Sequence, residues 1–90
     1  MQGIELSPSL SHCIETAARE EFWNLVNQYM EAGLDDEELE GKIELLKAFL
    51  ESMDFRKLRS QSEKHLLKGK RVRFIIRSRE GKPSYKMLVT

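Results

Sequence analysis

An α+β domain, with three helices followed by a C-terminal antiparallel β-hairpin packed on them, is the fold class this chain predicts. Three observations carry it. Apolar residues recur at spacings of three and four through the first two thirds of the chain, they alternate at every second position in two runs after residue 70, and Gly33, Gly69 and Gly81 separate the segments. Ninety residues make one domain, spanning 1–90, with a thin core, because a chain this short buries only about 60–65% of the surface it exposes when unfolded.

The first helix is expected over residues 8–31. Ser7-Pro8 reads as an N-cap followed by proline at the first helical position, where the missing N–H costs nothing. Ile14, Ala18, Phe22, Leu25 and Tyr29 share one side, the expected core face, and Gly33 supplies a left-handed C-cap. Trp23, Val26 and Met30 repeat at the same spacing but point away from that side, so the helix carries a second apolar strip that something must cover.

A second helix is expected over residues 36–53, opened by Asp35 with Glu38 as a capping-box-like start. Leu39, Ile43, Leu46, Leu50 and Met53 form the cleanest stripe in the chain, widened by Leu45 and Phe49. The next stripe, Phe55, Leu58, Ser62 and Leu66, lies roughly 100–180° around the axis if one continuous helix is drawn. A break near Asp54 brings both stripes onto one core, so a third helix is expected over residues 55–68, ended by Gly69.

Strands are expected over residues 70–78 and 84–89. Val72, Phe74 and Ile76 alternate with Arg71, Arg73 and Arg77, then Tyr85, Met87 and Val89 alternate again. A hairpin turning about Glu80-Gly81 sets Ile76 opposite Tyr85, Phe74 opposite Met87 and Val72 opposite Val89, placing all six apolar side chains on one face. Pro83 has no N–H to give to a ladder, which predicts a loop of four or more residues and pairing from Ser84 onward. A two-stranded hairpin is marginal alone, so its apolar face is expected on the helices or in a sheet with another copy.

Composition narrows the function classes. With 40% hydrophobic and 33% charged residues the chain is an ordinary globular sequence rather than a disordered one, and the single cysteine, Cys13, excludes an intrachain disulfide. Neither a secretory leader nor a membrane span is visible in the pattern, so a cytoplasmic location is expected. The formal charge is zero, yet residues 1–54 hold thirteen carboxylates against three cations, a net of −10, while residues 55–90 hold twelve cations against two carboxylates, a net of +10.

That division carries the functional expectation. Arg71, Arg73, Arg77 and Lys86 project together from the outer face of the hairpin, with Arg79 and Lys82 in its loop, and guanidinium groups in a row suit phosphates or carboxylates. Arg56, Lys57 and Arg59 add a basic third helix. The order of that helix and a basic hairpin is similar to a winged helix, although Met53 and Phe55 leave almost no room for the turn such a motif uses. The plainer reading is that the arginines meet acidic helices of the same domain or of another copy. Trp23, Val26 and Met30 are the candidate protein interface, against the alternative that the third helix or the hairpin wraps over them.

No chemistry-bearing pattern accompanies these surfaces. Neither His12 nor His65 has a Glu three residues before it, and His12, adjacent to Cys13, points elsewhere on a helix. Residues 64–71 superficially match a phosphate loop, but Lys64 stands at its first glycine and Arg71 at its magnesium-binding hydroxyl. The expectation is therefore a small non-catalytic protein-interaction module, self-associating, with no cofactor, no metal, no membrane partner and no small-molecule substrate. The alternative is a nucleic-acid-binding protein using the basic hairpin and the third helix.

Overall fold

The computed structural model describes residues 3–90. Within it the chain runs β1 (Ile4–Leu6), α1 (Ile14–Glu31), α2 (Glu37–Ser52), α3 (Phe55–Leu66), β2 (Val72–Arg79) and β3 (Lys82–Val89). The three expected helices and the C-terminal hairpin are present, and β1 makes the hairpin part of a three-stranded antiparallel sheet in the order β1-β2-β3. The helices form a layer on one face of that sheet; the other face is open.

β1 is the element that the apolar pattern does not announce. Ile4 and Leu6 lie opposite Ile76 and Phe74, both are buried, and Glu5 between them points to the open face. The hairpin thus gains its third strand from the same chain rather than from a second copy. Residues 7–13, expected to open the first helix, instead lead from β1 to α1. Ser9 and His12 close a turn of their own, in which the Ser9 N–H donates to the His12 carbonyl at 2.8 Å and the His12 N–H donates to Ser9 Oγ at 3.0 Å. With Pro8 buried and those donors satisfied locally, α1 starts at Ile14 with Cys13 as its N-cap residue, not at Pro8.

The α2 cap is shifted by one residue from the expected one. Asp36, not Asp35, accepts the Leu39 N–H at 3.1 Å, while Asp54 caps α3 as expected by accepting the Lys57 N–H at 3.3 Å. Asp54 separates the two helices and lets their stripes share one core. α3 ends in a Schellman arrangement. The Lys70 N–H reaches the His65 carbonyl and the Gly69 N–H the Leu66 carbonyl, which needs Gly69 at φ 78°, a conformation that disfavours any side chain.

The β2–β3 register is the one the alternation requires, with Val72, Phe74 and Ile76 opposite Val89, Met87 and Tyr85. The turn is tighter than expected. Glu80 at φ 54° and Gly81 at φ 77° are its only two residues, the positive-φ pair of a type I′ hairpin, and Arg79 pairs with Lys82 and Ser78 with Pro83. Proline fits there because of rung parity. Arg71 and Thr90 exchange both backbone hydrogen bonds, so every second rung from there is hydrogen-bonded and the Ser78–Pro83 rung is not. Any N–H at position 83 would point to the free edge, where proline also blunts pairing with another strand. Glu80 bears the steric cost of this turn. Glu80→Asn is expected to stabilise the fold by several tenths of a kcal/mol up to about 1 kcal/mol, read as a shift of the urea midpoint at unchanged slope.

The core lies between sheet and helices. Phe49, Phe74, Leu46, Ile14 and Ile76 are fully enclosed there, and an aromatic chain runs from Phe55 through Phe49 and Tyr85 to Phe74 at centroid distances of 5.4, 6.5 and 5.6 Å. On α2 the deepest residues are Leu45, Leu46 and Phe49, while Leu39, Ile43, Leu50 and Met53 sit at the rim. The centre of the buried face is therefore turned from the expected stripe toward its widening residues. On α1, Ile14, Ala18 and Leu25 are buried, with Phe22 and Tyr29 half-buried. Ser62, buried on α3, is satisfied by donating to the Arg59 carbonyl at 3.0 Å.

Candidate functional site: an open basic sheet face and an apolar strip on α1

Strand geometry places the hairpin arginines together on the side the helices leave uncovered. Because inward residues 72, 74 and 76 face the core, Arg71, Arg73, Arg77 and Arg79 project outward from the central strand, at about 6.8 Å between alternate positions. Lys82 and Lys86 extend the same surface on β3, and Arg79 and Lys82 form the last rung rather than a loop. Ile75 and Leu88, half-buried, lie among them. Together with Arg77, Arg79, Ser84, Tyr85 and Lys86 they line an open depression of about 360 Å³ of mixed polar and apolar surface. Tyr85, opposite Ile76 and in contact with Phe49 and Phe74 on the inner side, is 36% exposed and also reaches the edge of this depression.

The acidic helices do not neutralise this face, because they occupy the other side of the sheet. Among the described residues, Arg73 alone of the six basic side chains has a carboxylate partner, and that partner is Glu5 of β1 at 3.1 Å, diagonally across the β1–β2 ladder. The expectation that the hairpin cations meet helices of the same domain is corrected accordingly.

α3 belongs to a different surface. It packs inward through Leu58 and Ser62, so Arg56, Lys57 and Arg59 look out from the helix layer, away from the open sheet face, and Arg59 is engaged by Glu63 at 3.0 Å. The two basic groups that a winged-helix reading needs on one surface are thereby kept apart.

The second apolar strip of α1 stays uncovered. Trp23 and Met30 are each 62% exposed, with Val26 half-buried between them. Phe22 supports the indole edge-on at 5.6 Å. Leu34, just beyond the helix end, is also 61% exposed and is held at φ 60°, a conformation that costs a leucine about 1–2 kcal/mol. Exposed carboxylates of the same segment are Glu20, which His12 meets at 3.1 Å, Glu31 and Asp35, and Arg19, one turn before Trp23 on the strip's own side, is held by Glu15 at 2.9 Å.

The titratable residues considered as chemical groups are turned elsewhere. His12 Nε2 meets Glu20 at 3.1 Å, not Cys13. The Cys13 thiol faces Thr16 Oγ1 at 3.3 Å, and hydrogen bonds from the Thr16 hydroxyl and backbone hold it below its ordinary range. Among the described residues no three His, Cys, Asp or Glu side chains converge in a way that could hold a metal ion, and no helix is long and apolar enough to cross a membrane. No curated protein matches this chain, and no solved structure does. The model of an uncharacterised protein family matches residues 3–89, and with nearly its whole length covered the chain belongs to that family.

Proposed function

We propose that the protein is a non-catalytic interaction module that self-associates head to tail, seating the α1 strip of one copy on the open sheet face of the next. The observation that carries this reading is the placement of matching groups on opposite layers. One surface is a depression lined by Ile75 and Leu88 together with Arg77, Arg79 and Lys86; the other is an exposed apolar strip on a helix whose segment carries the exposed carboxylates Glu20, Glu31 and Asp35. Desolvated contact between Trp23 and guanidinium groups adds cation–π attraction of about 0.5–2 kcal/mol. An isologous contact between two α1 strips is disfavoured, since it sets carboxylates against carboxylates. Because donor and acceptor surfaces differ, the contact is heterologous and yields a ring if its rotation closes and a filament if it does not.

Sedimentation velocity tests this reading. In about 0.01 M salt the average mass should rise with protein concentration, and in about 1 M salt it should fall back toward the monomer as the screening length shrinks from about 30 to about 3 Å. A mass of one chain at every concentration would refute it.

A second reading is favoured by one specific observation, that five of the six sheet-face cations lack a carboxylate partner among the described residues. On this reading the face grips the phosphate backbone of duplex nucleic acid through those cations. Duplex DNA binding should then weaken linearly in log–log form with salt, by about 0.9 per phosphate engaged, and Trp23→Ala should leave it unchanged.

A further inference from the structure

At the end of the sheet away from the hairpin turn, the loop after β1 and the chain entering β2 enclose a cleft of about 630 Å³. Ser7 and Ser9 from the first segment and Lys70, Arg71 and Arg73 from the second line it, and Leu66 contributes apolar surface. The volume is that of a small-molecule site rather than a packing defect. Thr90 completes the lining, to which no Asp or Glu side chain belongs. The chain that carries its cations is held in place: the Lys70 N–H is tied to the His65 carbonyl and Arg71 exchanges two backbone hydrogen bonds with Thr90, while the Arg73 side chain is oriented by Glu5. On the first segment Ser9 is fixed by its turn with His12.

We propose that this cleft binds a phosphate monoester carrying an apolar or aromatic substituent. Lys70, Arg71 and Arg73 would take the dianionic phosphate through charge-assisted hydrogen bonds, the Ser7 and Ser9 hydroxyls would serve its remaining oxygens, and Leu66 would cover the substituent. Neither the phosphate nor the substituent alone accounts for a cleft that brings cations and hydroxyls together with Pro8, Leu66 and Val72.

Titration of the isotope-labelled protein with phenyl phosphate, inorganic phosphate and phenol, read by amide NMR shifts, tests this. Phenyl phosphate should give saturable shifts at Ser7, Ser9 and Lys70–Arg73, binding at least about tenfold more tightly than inorganic phosphate or phenol, because each of those lacks half of the recognised group. Lys70→Gln with Arg71→Gln should weaken it about tenfold or more, with the spectrum otherwise retained. Shifts that never saturate and spread equally to Arg79 and Lys82, equal binding of inorganic phosphate, or full binding by the double variant would each overturn the proposal. Arg77→Glu with Arg79→Glu lies at the other end of the sheet and should leave phenyl phosphate binding intact, so this test stands or falls separately from self-association.

Discussion

Phe74→Ala should lower unfolding stability by about 3–5 kcal/mol, a large part of what a domain of this length possesses. Phe74 has no solvent exposure, sits on the central strand between Leu6 and Met87, and meets Tyr85 at 5.6 Å. Truncation removes the side chain on which both flanking strands and the aromatic chain converge, and a thin core has little material with which to fill the space. Urea unfolding followed by far-UV circular dichroism reads the loss directly; a change below about 1 kcal/mol would mean that the sheet and helices do not close on this residue.

Arg77→Glu with Arg79→Glu should have the opposite signature, leaving stability within about 0.5 kcal/mol of wild type while weakening association by at least about tenfold. Both side chains are exposed, neither has an ion-pair partner among the described residues, and the pair moves the sheet face by four charge units. Combined stability and sedimentation measurements separate the two effects. Loss of folding would place these arginines in the structure of the domain, and unchanged association would remove the sheet face from any charge-driven interaction.

The contrast follows from how differently core and surface are written in the chain. Period-two alternation across residues 72–76 and 85–89 fixed both the register and the side on which the arginines emerge, since a one-residue slip would have reversed one strand. Asp54 marked the helix break because two apolar stripes could not share one straight helix. β1 was not legible, for Ile4-Glu5-Leu6 holds a single alternation and becomes a strand only because Phe74 and Ile76 stand ready to pair with it. The start of α1 was misread for a related reason: Ser7-Pro8 has the composition of a cap, but local turn bonds at Ser9 and His12 satisfy the backbone first. Pro83 reads as a break in a ladder until rung parity shows that its missing N–H faces the edge.

The surfaces were partly legible in the same way. Sequence pattern named Trp23, Val26 and Met30 as needing cover and the hairpin cations as sharing a face, but which layer neutralised which depended on the sheet having one helix-covered side. The cleft between residues 7–9 and 70–73 was beyond reach, because it exists only once β1 pairs with β2.

Mixing two variants tests head-to-tail association most directly. One carries Arg77→Glu with Arg79→Glu and keeps an intact α1 strip; the other carries Trp23→Glu with Met30→Glu and keeps an intact sheet face. Each alone should sediment as a monomer at low salt, whereas an equimolar mixture should form a dimer and nothing larger, because only one complementary pair of surfaces survives. Self-association of either variant alone, or a mixture that stays monomeric while the wild-type protein assembles, would contradict the account.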